Sequence, residues 1–235
     1  MNVIIIGATS GIGKALALKF SEEGFVVGIT GRRMNKLKEV QGQIKGKSYV
    51  KCFDVSVEDS DKALLKLIKD MGGVDIIVIC AGVGYLNKKF DLKKELETID
   101  VNSAGFVRMS NVAYHYFKKK RIGHIVGISS ISSIRGSISP SYSATKAFVV
   151  NYLEGLRMRG YKDKFNLTVT DICPGFVDTK MAKGEGLFWV ASKEKVASQI
   201  FDAIRKKKKR VYVTKRWGLI AFLMKILPFG IYKRM

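Results

Sequence analysis

Tyr142 and Lys146 stand four residues apart in the segment YSATKAF, which places both on one face if that segment is helical. A phenol titrates near ~10 and is a poor proton-transfer group at neutral pH. A neighbouring ammonium favours the phenolate and tunes the tyrosine toward general acid–base work. Upstream, the β-branched run His124–Ile128 delivers Ser129 and Ser130 at its C-terminal end. A hydroxyl there can donate to a carbonyl oxygen as charge develops on it.

A second cluster lies near the N-terminus. The apolar run Val3–Ile6 leads into GATSGIG, with Gly7, Gly11 and Gly13 ahead of a helical segment. Positions without side chains let backbone approach a pyrophosphate, and the helix start presents unpaired N–H groups to it. The spacing is G-x-x-x-G-x-G rather than G-x-G-x-x-G, so the location between a first strand and a first helix carries the reading. Gly7, Thr9, Ser10, Gly11, Ile12 and Gly13 are the candidate phosphate-side contacts. The second strand ends in ITGRR, where an acid would accept from a ribose 2′-hydroxyl; Arg32 and Arg33 stand there instead. A guanidinium pairs with a 2′-phosphate, so NADP(H) is the expected cofactor. Asp54 and Val55 follow the third strand as candidate adenine contacts, and Ala81 and Gly82 follow the fourth, where small side chains let a ribose lie close.

These groups need a frame. Apolar runs at Val3–Ile6, Phe25–Thr30, Tyr49–Phe53, Asp75–Ile79, His124–Ile128, Leu167–Ile172 and Val211–Val213 read as strands. Helical periodicity fills the intervals, for example Gly13–Glu23, Asp61–Met71, Val101–Lys119 and Ser143–Leu156. Near-continuous apolar strands imply burial on both faces, hence a parallel sheet covered by helices. Strand–helix alternation then predicts an α/β doubly wound parallel sheet of about seven strands in a single domain.

Composition narrows the rest. The 235 residues carry 42 basic and 20 acidic side chains, a formal charge of +22, and 47% are hydrophobic. That apolar content supports a core and excludes global disorder. The charge suits anionic partners, yet no nucleic-acid-reading motif accompanies it, and diffuse lysine without an aromatic platform argues against DNA or RNA. Three separated cysteines, Cys52, Cys80 and Cys173, form neither a disulfide framework nor a zinc site, and no metal is expected. A reducing, cytoplasmic setting is the expectation, since the N-terminus enters a strand with no signal segment.

The chain resembles the short-chain dehydrogenase/reductase family over roughly Met1–Val213. The motifs that carry the likeness are GATSGIG, CAG at Cys80–Gly82, VN at Val101–Asn102, ISS at Ile128–Ser130, YSATK at Tyr142–Lys146 and PGFVDT at Pro174–Thr179. The resemblance implies a Rossmann-like fold and hydride transfer between NADP(H) and a carbonyl or secondary alcohol. It implies Ser130 as the carbonyl-orienting serine and Tyr142 as acid/base. Lys146 would hold the ribose and lower the tyrosine pKa, and Asn102 would serve a proton relay. Pro174, Gly175, Val177 and Thr179 would face the nicotinamide end. Only twelve steps separate Ser130 from Tyr142, one fewer than is common in the family, so Ser129 and Ser130 both stand as candidates; Ser130 closes the ISS motif and is preferred. Where the family reads NNAG this chain has ICAG, with Cys80 in place of an asparagine. Dimers or tetramers through the two long central helices are the implied assembly.

Residues 215–235 read as a tail distinct from a 1–214 catalytic domain. Arg205–Arg210 is a run of six basic residues, and Trp217–Leu227 is apolar almost all round if helical. Such a helix needs cover, either from the domain and an oligomer partner or from an anionic membrane surface, and the run is too short to span one. Between Thr179 and the tail, Gly184 and Gly186 suggest a lid, and Leu187, Phe188 and Trp189 an apolar pocket wall. A nucleotide-binding regulatory protein without turnover is the alternative, against which the joint presence of Ser130, Tyr142 and Lys146 argues.

Overall fold

Val3, Ile4, Ile5 and Ile6 are each fully buried, which a strand achieves only when helices cover both of its faces. The structure, a computed structural model, describes residues 1–179, 181 and 188–233. That first strand is β1 (Asn2–Ile6), followed by α1 (Gly11–Glu22), β2 (Val26–Gly31), α2 (Met34–Gln41), β3 (Ser48–Cys52), α3 (Ser60–Asp70) and β4 (Ile76–Ile79). The second half contains α4 (Leu92–Ile99), a π-helical turn (Asp100–Gly105), α5 (Phe106–Lys120), β5 (Ile122–Ile128) and a short 3₁₀ turn (Ile131–Ser133). Then come α6 (Pro140–Lys162), β6 (Asn166–Pro174), α7 (Lys193–Arg205), β7 (Arg210–Val213), α8 (Trp217–Ile226) and α9 (Phe229–Tyr232).

The seven strands form one Rossmann-like parallel sheet in the order β3-β2-β1-β4-β5-β6-β7. Side chains alternate across β1. Val3 and Ile5 join a layer with Leu16, Phe20 and Phe201 beneath α1 and α7, while Ile4 and Ile6 join one with Leu64, Phe117 and Leu153 beneath α3, α5 and α6. Phe20, Phe25 and Phe201 meet edge-to-face with centroids 5.0–6.0 Å apart, locking α1 to α7. The order reverses between β1 and β4, and ligands of such sheets bind at the carboxyl ends of the strands at that switch.

Two helices differ from the sequence reading. The stretch expected as one helix from Val101 opens in the wider π-helical turn before α5 begins at Phe106. The helix carrying Tyr142 and Lys146 runs 23 residues, beyond both ends of Ser143–Leu156. Pro140 presets its first turn, and Gly155 and Gly160 sit inside it without ending it. Gly160 is there for packing: a Cβ would come within 3.0 Å of the Leu167 side chain.

Candidate active site

The loop after β1 is built by the absence of side chains. Gly7 has φ +92°, and a Cβ on it would lie 2.6 Å from the Ala81 nitrogen. A Cβ on Gly13 would lie 2.2 Å from the Gly7 carbonyl oxygen, so this glycine lets α1 pack directly on the turn. The Gly7 and Ala8 amides both donate to the Thr30 carbonyl, at 3.0 and 2.9 Å, bending the chain toward β2. Ser10, extended at φ −167°, makes no side-chain cap to α1. The first-turn amides therefore keep their capacity to hold an anion.

Arg32 and Arg33 both line the groove beyond this turn. Arg33 donates to the Thr9 hydroxyl at 2.7 Å, tying the end of β2 to the glycine turn. Arg32 is half-exposed, 3.5 Å from Asp54 and 3.7 Å from Glu97. Asp54 lies two residues past β3 and is more occupied than its place in the sequence suggests. One of its oxygens accepts from the Ser56 amide and hydroxyl at 2.9 and 2.7 Å. Burial works to raise its pKa, but the Ser56 hydrogen bonds and Arg32 together hold it below the ordinary carboxylate value. Ser56 and Glu97 escape sequence reasoning because neither belongs to a motif.

At the other end of the groove, β5 carries the two serines to opposite fates. The Ser129 hydroxyl turns into the core and donates to the buried Asp171 carboxylate at 2.5 Å and to the Ile172 carbonyl. Ser130, which like Ser129 lines the groove, accepts from the Ser132 amide at 3.1 Å and stands beside the Tyr142 phenol. Burial raises the Tyr142 pKa and the neighbouring Ser130 hydroxyl opposes it. The influence expected from Lys146 is not what sets this phenol. Its ammonium donates to the Ile128 carbonyl at 2.9 Å and lies 5.7 Å from the phenol ring centre, and burial pulls its own pKa down to about 8.

Asn102 is buried on the π-helical turn. Its amide nitrogen donates to the Val83 carbonyl at 2.8 Å and to Thr145 at 3.2 Å, and its oxygen accepts from the Val83 amide at 2.8 Å. It thus pairs both backbone groups of the loop after β4 as a neighbouring strand would. Gly82 and Gly84 keep that loop close. A Cβ would stand 3.2 Å from the Asn102 oxygen in the first case and 2.9 Å from the Tyr142 ring in the second. Gly84, Thr145 and Asp171 are neighbours that sequence reasoning did not single out.

The far wall comes from the end of β6. Pro174, Gly175, Phe176, Val177 and Thr179 line the groove, and Val177 bridges to Ala191. Gly175 donates to the Val213 carbonyl at 2.7 Å, and a Cβ on it would lie 2.0 Å from the Trp217 indole. Phe176 and Phe188 pack on that indole at 5.3 and 5.2 Å. Gly184 and Gly186, expected in a lid, and Leu187, expected in the pocket wall, fall outside the described residues. Ser132, Ser137 and Ser139 line the groove's rim, the first two bonded within the same loop and helix start and Ser139 donating to the Tyr85 carbonyl at 3.1 Å.

Three further titratable groups are held neutral by burial, and Cys80 among them borders the groove. Cys80 and Cys173 are thiols pushed up to about 11 by burial. His124 is a buried neutral imidazole paired with Thr170 at 2.8 Å. No group of three metal-ligating side chains converges among the described residues. What remains is one continuous groove of about 640 Å³. Two guanidinium groups stand at one end, a Cβ-free helix start lies in the middle, and a serine–tyrosine pair over a buried lysine closes the other end. A nicotinamide dinucleotide fits it, because the atoms that would block a close approach are those the three glycines lack.

Comparison with known proteins agrees. The family profile for short chain dehydrogenase matches residues 1–187. An uncharacterised oxidoreductase of Staphylococcus epidermidis is 32% identical over 205 residues, covering 86% of this chain and 87% of its own. Dehydrogenase/reductase SDR family member 7B of Mus musculus is 28% identical, covering 99% of this chain and 79% of its own. Among solved structures, a serine dehydrogenase complexed with NADP+ superposes with a TM-score of 0.77 at 26% identity, over 87% of this chain and 89% of that one. A 3-ketoacyl-ACP reductase from Sinorhizobium meliloti gives 0.82 at 26% identity, over 94% and 100%.

Proposed function

The chain belongs to the short-chain dehydrogenase family and is an NAD(P)-dependent oxidoreductase, and from that premise we propose that it is an NADPH-dependent reductase of an apolar carbonyl compound. The observation that carries the reading is the groove's two ends, with Arg32 and Arg33 at one and the Ser130–Tyr142 pair at the other.

In this reading the Gly7–Gly13 turn, with Thr9, Ser10 and Ile12, holds the pyrophosphate, and Arg32 and Arg33 take the 2′-phosphate. Asp54 and Val55 flank the adenine, and Ala81 and Gly82 lie against the ribose. Pro174, Gly175, Val177 and Thr179 border the nicotinamide. NADPH, when bound, supplies a hydride to the carbonyl carbon. The chain's own residues manage the oxygen. Ser130 donates to it and fixes its direction, and Tyr142 delivers the proton that completes the alcohol.

The raised phenol pKa suits that direction, since a tyrosine acting as acid must be protonated at neutral pH. Lys146, charged below about pH 8, keeps a cation beneath the ring to offset the charge left when the proton departs. Asn102 holds the Val83 loop against this patch, and a water held near it would pass the lysine a replacement proton. Val83, Leu86, Ile131, Phe176 and Met181 line the substrate end, which supports an apolar substrate.

Residues 1–214 form the catalytic domain in this reading and 215–235 its tail, of which 215–233 rest on the domain. A homodimer or homotetramer through α5 and α6 is part of the same proposal, supported by the exposed Phe148, Met158 and Tyr161 of α6. Fluorescence titration of the purified chain with NADPH and NADH tests the cofactor claim. Tight NADPH and feeble NADH binding is expected, and binding of neither would overturn the reading.

A further inference from the structure

The C-terminal helices have two unlike faces. On α8, Trp217 and Ala221 are buried and Ile220 and Met224 partly so, packed on Ile131, Phe176 and Tyr212. Arg135 donates to the Met224 carbonyl at 3.2 Å and to that of Leu227, and its guanidinium lies 4.4 Å from the Tyr232 ring. The Tyr232 hydroxyl donates to the Gly136 carbonyl at 2.8 Å. These ties fix which side of the tail faces the domain.

The opposite side carries Leu219, Phe222, Leu223 and Ile226, a helical stripe at i, i+3, i+4 and i+7, continued by Phe229 and Ile231 on α9. They are 40–69% exposed, and no described residue covers them. A contiguous apolar surface of this kind marks an interaction site. Its charge surroundings indicate the partner. Residues 203–235 contain no acidic side chain and eleven lysines and arginines. Exposed Lys215 and Arg216 precede the stripe, Lys225 stands beside it and Lys233 follows it. None of these four has an acidic partner among the described residues. Apolar side chains at the centre with cations around them match a bilayer whose surface is anionic and whose interior is hydrocarbon.

We propose that α8 and α9 are an interfacial docking element that seats this protein on an anionic lipid surface through Leu219, Phe222, Leu223, Ile226, Phe229 and Ile231. The seating is peripheral, since no helix of the described residues is long and apolar enough to cross a membrane. The run Arg205–Arg210 is not part of the contact. It enters β7 at the end away from the tail, roughly 13 Å along the strand, and Arg210 is spent on the buried Asp171 at 3.1 Å. The groove, by contrast, opens on the tail's side, because α8 follows the carboxyl end of β7 and Ile131 lines the groove and also packs on Trp217. Docking therefore holds the mouth of the groove beside the lipid. The proposal does not depend on the reductase reading.

Co-sedimentation of the full chain with vesicles of phosphatidylcholine, with and without phosphatidylglycerol, tests it. Binding to the anionic vesicles is expected, falling at least about tenfold on the neutral ones. The triple variant L219Q/L223Q/I226Q should lose at least about tenfold in vesicle affinity. So should K215E/K233E, which leaves every apolar residue in place. An unchanged urea unfolding midpoint shows that each variant is folded. Absence of binding by the wild type overturns the proposal, as does equal binding to both vesicle types. A concentration-dependent dimer in sedimentation, dissolved by the triple variant without any vesicle binding, would assign the face to a second copy instead and also overturn it.

Discussion

The glycine turn after β1 and the serine–tyrosine–lysine patch after β5 lie in one groove but are specified in opposite ways. The turn works through missing atoms. Gly7 and Gly13 are each required by what a Cβ would strike, the Ala81 backbone for the first and the Gly7 carbonyl for the second. The patch works through atoms that are present, a hydroxyl beside a phenol and an ammonium on a carbonyl, each position set by contacts distant in the chain. A site read by backbone is broken by adding a methyl group, whereas a site read by side chains is broken by removing one oxygen. In the proposed reading, binding belongs to the first and proton transfer to the second.

Removing the phenol oxygen should have the largest effect. Tyr142→Phe is expected to lower turnover of any carbonyl that the wild type reduces by about a thousandfold, with NADPH affinity within about twofold. Steady-state rates beside a cofactor titration check this, and retained turnover would break the division between the regions. Gly13→Ala makes the complementary change. Its added carbon meets backbone rather than a flexible side chain, so about 3 kcal/mol of stability should be lost together with binding of either cofactor. Denaturant unfolding with and without NADPH reads both; normal binding would mean that the turn yields.

A third locus must be kept apart from both, because it can imitate a catalytic titration. His124 stays neutral in the folded chain down to about pH 4, its burial disfavouring the cation. The unfolded chain takes up that proton below about 6.5, so the unfolded state binds more protons in this window and stability falls as pH drops through it. About 2 kcal/mol should disappear between pH 7 and 5, and His124→Asn should flatten that slope. Urea midpoints across the range decide it. The smallest effect sharpens the comparison inside the binding region. Arg32→Ala with Arg33→Ala should weaken NADPH about thirtyfold and NADH no more than about threefold, the latter through the lost Arg33–Thr9 bond. Equal losses would remove the 2′-phosphate from the account.

Much of the frame is legible locally. All seven strands occur where the apolar runs stand, with ends displaced by no more than two residues. A parallel strand buried on both faces cannot hide its composition. The short helices are harder to read. In α4 the apolar residues Leu92, Leu96 and Ile99 are exposed and only Thr98 is buried, so periodicity points to no core. In the site, four-residue spacing places Tyr142 and Lys146 on one helix, yet it cannot reveal that the ammonium is held by Ile128, eighteen residues earlier. The Ser129–Asp171 bond that separates the two serines spans 42 residues, and the Asn102 clamp on Val83 spans 19. Spacing reports which groups share an element. Which of them touch depends on how the sheet is ordered, and that is a property of the assembled layers.

The meeting of Gly175 with Trp217 has a bearing on engineering. The tail's first helical residue is a wedge seated in the wall that the cofactor groove uses from its other side, and the glycine is the notch cut for it. The terminal helices are therefore not a detachable module. A chimaera that takes them from a relative must bring a side chain of indole size for the same notch, and a donor with a larger residue in place of the glycine cannot receive this tail at all.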